Sequence, residues 1–223
     1  MLKPWVPLAT VLSLALTACG VLEGPPTRPA GSAVSSSTAA GSPSTAPTPT
    51  PDLPAGHAWQ TVDEVSVTFA VPETWTAMNP KKLLEGGDTS AFDEMASKMG
   101  VTSRQMMQAV GNADLLMLAP PRSGYADNIS GLVVPLEGLP TDAQLMAELG
   151  KVSEAPVVVT PGESPAGPTI SADYSLQVSG RTVTGRSLFV ETQDGVLNLS
   201  VSALDPATTK AVAETIASTM HPA

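Results

Sequence analysis

The feature that most constrains the fold is a set of alternating runs in the last third of the chain. Ile170, Ala172, Tyr174, Leu176 and Val178 alternate with Ser171, Asp173, Ser175, Gln177 and Ser179. A period of two belongs to a β-strand with one apolar and one polar face. Ser179-Gly180 reads as a tight turn into a second strand over 182–191, and Asp194-Gly195 as a second hairpin turn. Leu197, Leu199, Val201 and Ala203 then resume the alternation, with the polar residues between them expected to face water. Strands joined by hairpins are antiparallel, and strands with one wet face suit a sheet that carries helices on its faces. The expected class is α+β, a central antiparallel β-sheet flanked by helices.

The preceding segments supply the helices and further strands. Val65 to Val71 alternates as a half-buried strand, with Trp59 and Val62 suggesting a short strand before it. Pro72-Glu73-Thr74-Trp75 reads as a turn that folds the indole back onto the sheet. Phe92, Met95, Ala96 and Met99 recur at helical spacing within 88–100, and Gly100 is a stop. Thr102-Ser103-Arg104-Gln105 has the form of a capping box that opens a helix with Met106 and Val110 on one face. Leu115 to Leu118 is a continuous apolar run suited to a strand covered on both sides. Ile129 to Val134 reads as a strand broken by Gly131. Thr141-Asp142-Ala143-Gln144 is a second capping box, continued by Leu145, Leu149 and Val152. Val157 to Val159 is a short strand. Asp205-Pro206 is an N-cap followed by proline at the first helical position, and Val212, Ile216 and Met220 mark one apolar stripe.

The N-terminal quarter has a different character. Lys3 precedes an apolar run, Leu8 to Leu16, which ends in Leu16-Thr17-Ala18-Cys19. That order is a secretory signal, and the run is too short to span a bilayer, which takes roughly 17 to 25 residues. The residues before the cysteine resemble the bacterial lipobox. The thiol of Cys19 would take a diacylglyceryl group, and the small Ala18 would leave the bond before it open to a peptidase. Acyl chains at about 0.8 kcal/mol per buried methylene would then hold the protein on the membrane. Gly20 to Gly56 is nearly all Gly, Pro, Ser, Thr and Ala, so it lacks the apolar groups to offset ordering entropy. The expected organisation is a signal peptide over 1–18, a lipidated Cys19 with a disordered tether over 19–56, and a folded domain over 57–223. Thr45, Thr48 and Thr50 lie in the proline-rich part of the tether; O-glycosylation and an unmodified spacer are equal alternatives there.

Charge and chemistry narrow the function by exclusion. The chain carries 11 basic against 21 acidic residues, so nucleic acid and polybasic membrane contact are not expected. The single cysteine leaves no disulfide to stabilise the exported domain. No His-Glu-x-x-His, paired cysteines or glycine-rich phosphate loop occurs, which predicts no cofactor, no metal and no enzyme. Gly162-Glu163-Ser164-Pro165-Ala166 has only a faint likeness to a nucleophile elbow, and its proline argues against one. His57 and His221, at opposite ends of the domain, read as exposed. Arg181 and Arg186, five apart on one strand, fall on opposite faces and make no clamp by spacing.

Phe69-x-Val71-Pro72-x-x-Trp75, the two late hairpins and the closing Ile216-Ala217-Ser218-Thr219-Met220 resemble the PsbP-like fold, and within it the actinobacterial LpqN-type lipoproteins. The resemblance implies an α/β/α sandwich and a cell-envelope setting, and PsbP-like domains as a group imply an assembly role. Two functions follow from the sequence. In the first, the domain binds an apolar envelope ligand, a lipid or glycolipid, with Trp75, Met95, Met99 and Met106 as the ligand-binding candidates. Methionine adapts to irregular apolar shapes, and this reading demands a connected apolar cavity of roughly 300 to 1,000 Å³. In the second, the domain is a tethered adaptor that docks another envelope protein. In both, the protein sits on the extracytoplasmic face of the cell membrane through its Cys19 lipid.

Overall fold

A computed structural model describes residues 50–87, 90, 92–93, 96, 102–134, 136, 138–178 and 180–223. Cys19, Met95 and Met99 lie outside the described residues, as do the lipobox and most of the tether. Among the described residues, ten strands form two antiparallel sheets. The small sheet has the order β1-β2-β10, with β1 His57–Val62, β2 Val67–Pro72 and β10 His221–Pro222. The large sheet has the order β3-β4-β5-β9-β8-β7-β6. Its strands are β3 Thr76–Met78, β4 Leu115–Leu118, β5 Asn128–Val134, β6 Val158–Ser164, β7 Gly167–Val178, β8 Arg181–Thr192 and β9 Gly195–Ala203. Four α-helices accompany them among the described residues, α1 Pro80–Gly86, α2 Ser103–Val110, α3 Asp142–Leu149 and α4 Pro206–Thr219, with a 3-10 turn over Asp63–Val65. Residues 90, 92, 93 and 96 are also helical.

The large sheet buries both faces, in different ways. On one face Leu115 and Met117 of β4, Ile129 of β5, Leu188 and Val190 of β8, and Leu197, Leu199 and Val201 of β9 form the main core. Val67, Phe69 and Val71 of β2 and Val212, Ala213 and Ile216 of α4 close over it. On the other face two separate clusters stand at the sides of the sheet. Phe92, Ala96, Met106, Val110 and Leu116 form one at the β4 side. Leu145 and Leu149 of α3 pack on Ile170, Ala172, Tyr174 and Leu176 of β7 in the other.

The local signals act as the sequence implies at several joints. Gln144 N–H donates to Thr141 Oγ1 at 3.3 Å and Thr141 N–H donates to Gln144 Oε1 at 2.8 Å, the reciprocal capping box of α3. Ala207 N–H donates to Asp205 Oδ1 at 3.0 Å, which caps α4. Trp75 N–H donates to Pro72 O at 3.0 Å, closing the expected turn.

Elsewhere tertiary contacts override the local reading. β2 is buried from Val67 to Val71 rather than half-buried: it is the central strand between β1 and β10, and Ala70 N–H donates to Thr219 Oγ1 of α4 at 2.9 Å. Gly131 does not break β5: the strand runs through it, and a β-carbon there would meet Leu115 and Leu199 at 3.0 Å. The missing side chain admits its neighbours. The strand expected at 157–159 extends to Ser164, so Gly162 to Ala166 is strand and hairpin turn, not an elbow. β3 and α1 are additional elements. The signal for α1 stands in Asn79-Pro80: Lys82 N–H donates to Asn79 Oδ1 at 2.9 Å, with proline at the first helical position. Both histidines are half-buried rather than exposed, because β1 and β10 place them on the outer face of one small sheet. There the His221 ring stands edge-on to Trp59, with centroids 5.1 Å apart.

Candidate functional site: a hydroxyl and amide strip

The side of β9 that alternation assigns to water is buried. Asn198 is 4% exposed, Ser200 5% and Ser202 6%, so the expectation of a wet face fails for this strand. The reason is its position: β9 lies between β5 and β8, and the two flanking clusters with their helices rise on either side of it. Register then assembles a polar strip across the middle of the sheet. Asn128 of β5 pairs with Ser202, which pairs with Gly185 of β8. One step along, Ser130 pairs with Ser200, which pairs with Ser187; one step further, Leu132 and Phe189 flank Asn198. Ser187 and Ser200 share a hydrogen bond of 2.8 Å between their hydroxyls.

Two tyrosines lean onto the strip. Tyr174 of β7 is the cross-strand partner of Gly185. A β-carbon at 185 would sit 2.3 Å from the Tyr174 ring, so only glycine lets the ring cross β8. Burial pushes the Tyr174 hydroxyl above its usual range, by more than the neighbouring hydroxyls of Ser187, Ser202 and Ser200 pull it down. Tyr125 enters from the loop before β5, and burial likewise raises its pKa. Asn128 Nδ2 donates to Tyr125 Oη at 3.2 Å and to Ala126 O at 3.1 Å. The second bond, to a carbonyl, fixes which end of the Asn128 amide carries the hydrogens. Its oxygen, and that of Asn198, are buried with no donor. Buried polar atoms are nearly always paired, and an unpaired acceptor costs about 1–3 kcal/mol. The strip therefore offers two acceptors to an incoming O–H or N–H among neutral hydroxyls, with the Asp127 carboxylate close enough to Tyr125 to add to its raised pKa.

The candidates read from the sequence do not converge. Trp75 packs against the main core on the opposite face of the sheet. Met106 is buried with Phe92, Ala96, Val110 and Leu116 beside the strip, and Met107 is partly buried against the same cluster. Spacing could not find the strip, because its residues are small, polar and ordinary until register puts them in adjacent rows.

A concave feature lies elsewhere, where β1 meets β3 and α1. It is a groove of about 200 Å³ lined by Gln60, Thr61, Asp63, Lys82, Asp114 and Leu115, among others. Its charges answer one another. Lys82 Nζ lies 3.2 Å from Asp63 and 3.3 Å from Glu64, and these hydrogen bonds raise its pKa. Asp114 accepts from Lys81 Nζ at 3.2 Å and from Val133 N–H at 2.8 Å. This groove is smaller and more charged than the connected apolar cavity expected for a lipid.

Among the described residues, no three of His, Cys, Asp and Glu gather as a metal site, and no helix is long and apolar enough to cross a membrane. No family model matches the chain, and no curated protein matches it. Similar solved structures include the cyanobacterial PsbP (CyanoP) of Synechocystis, at 12% identity and a TM-score of 0.48, covering 76% of this chain and 94% of that one. LpqN of Mycobacterium tuberculosis, described as involved in cell envelope biogenesis, is similar at 13% identity and a TM-score of 0.43, covering 74% and 89%.

Proposed function

We propose that this chain is a cell-envelope lipoprotein, held on the extracytoplasmic face of the membrane through acylated Cys19. Its folded domain, on this reading an LpqN-type α/β/α sandwich of PsbP-like form, is a non-catalytic module that binds an apolar envelope ligand, a lipid or glycolipid. The observation that supports it is the pair of donor-less amide oxygens, on Asn128 and Asn198, within a strip of hydroxyls. The strip is flanked by the apolar Met106 cluster on one side and the α3 cluster on the other. An amphiphile matches that division: hydroxyl or amide donors over the strip, acyl groups along the apolar flank.

The test is native mass spectrometry of the mature protein extracted from its own cells. A bound lipid should appear beyond the covalent anchor, and Asn198→Leu should lose it. A mass equal to the acylated polypeptide alone would remove the ligand. If Cys19→Ala partitions into detergent as wild type does, the anchor is wrong.

The alternative, a tethered adaptor docking another envelope protein, draws on one observation. β1 is an edge strand of the small sheet, it directly follows the tether, and it carries Trp59 at 38% exposed. A lipid-free mass with a crosslinked partner at Trp59 would favour it.

A further inference from the structure

The turn that carries Tyr125 into the strip also brings together two arginines, and their setting specifies the ligand's head group. Arg122 and Tyr125 bond to each other's backbone in both directions, at 2.7 and 3.0 Å. Between them Ser123 has φ 52° and Gly124 φ 75°, so both central residues of the turn are left-handed. Such a two-residue turn places its flanking residues as a cross-strand pair, side by side on one face. Tyr125 uses that face to enter the strip, so Arg122 leaves the backbone beside it. From the neighbouring hairpin, Arg181 Nη1 reaches to 3.8 Å from where a β-carbon of Gly124 would lie. One small turn thus holds two guanidinium-bearing chains next to a buried phenol.

Neither arginine has a side-chain hydrogen bond or ion pair among the described residues. Arg186, on the opposite face of the same strand, shows the contrast: it grips Asp173 with Nε–Oδ1 at 2.5 Å and Nη2–Oδ2 at 2.7 Å. The nearest acid to the turn in sequence, Asp127, commits Oδ1 to the Leu204 N–H at 3.0 Å. The chain has 21 acidic and 11 basic residues, yet among the described residues no carboxylate closes on this pair. Two unanswered guanidiniums at one turn repel each other, and a planar fork suits an oxyanion that can accept from both.

We propose that Arg122 and Arg181 bind a phosphate-type oxyanion on the ligand head group, with the strip behind them taking its neutral hydroxyls. The inference rests on the amphiphile reading above and adds the sign of the head group. The chain as a whole is acidic, so the selectivity is local: an anionic head is drawn to this turn and held off elsewhere.

The test uses the full chain bearing Cys19→Ser and three probes in calorimetry: dihexanoyl-phosphatidylglycerol, dihexanoylglycerol and inorganic phosphate. The phospholipid should bind about tenfold or more tightly than the neutral diacylglycerol. Arg122→Gln and Arg181→Gln should each lose about tenfold for the phospholipid and nothing for the neutral lipid, with unchanged melting since both side chains are exposed. Asn198→Leu should weaken both lipids. Equal phospholipid affinity in wild type and both arginine variants would overturn the proposal. Phosphate binding as tightly as phospholipid would keep the oxyanion site and overturn the lipid reading. Failure of all three probes on the wild-type chain would end both.

Discussion

The two faces of the large sheet are built from the same strands and do opposite things. Odd-numbered residues of β9, Leu197, Leu199 and Val201, enter a continuous apolar core closed by β2 and α4. Even-numbered residues of the same strand, Asn198, Ser200 and Ser202, are also buried but meet hydroxyls, a glycine and two tyrosine rings. Burial alone therefore does not mark a structural core. The first face removes apolar area from water and so stabilises the fold. The second gains little from burial and leaves amide oxygens unsatisfied, which a sequence selected for stability alone would not keep.

Substitutions on the two faces should separate these roles. Leu199→Ala, on the apolar side, should cost about 3 kcal/mol, read as a lower urea midpoint at unchanged slope. Gly185→Ala should cost about 2 kcal/mol, since the new methyl would meet the Tyr174 ring and push it off the strip. Near-ultraviolet circular dichroism of the tyrosines should change with it; an unchanged spectrum would mean the ring does not depend on that gap.

The tyrosines give the strip an alkaline signature. Both folded-state pKa values are raised above the ordinary value of 10.0. The folded protein therefore holds these protons more tightly than the unfolded chain does. Their contribution is complete below about pH 10 and is lost as pH rises from there through the folded values. Thermal melts followed from pH 8 upward should fall beyond about pH 10, and Tyr125→Phe with Tyr174→Phe should flatten that fall. The smallest effect on stability is expected at Asn198→Leu, within about 1 kcal/mol of wild type, because it removes a polar atom that has no partner to lose. If it destabilises as much as Leu199→Ala, the two faces are not different in kind.

Local physics in the chain settled a good deal. Alternation over 170–178 and 197–203, the Gly180 turn, and the Thr141 and Asp205 caps are interactions between near neighbours, so they can be read without the fold. The α+β class followed from them. Asn79-Pro80 carried an equally local helix signal. Gly131 reads as a break only in isolation, since its packing against Leu115 and Leu199 joins residues far apart in the chain.

What the sequence could determine by itself was which residues share a side of a strand: Asn198, Ser200 and Ser202 on one, Leu197, Leu199 and Val201 on the other. Only the tertiary structure decided what each side meets. Polar alternation predicts water because most strands have one open face, but β9 is interior to its sheet and flanked by helix-bearing clusters. The strip needs residues from β5, β7, β8 and β9 in one register, and that register is fixed by pairings that span more than seventy positions of the chain, Asn128 with Ser202 among them.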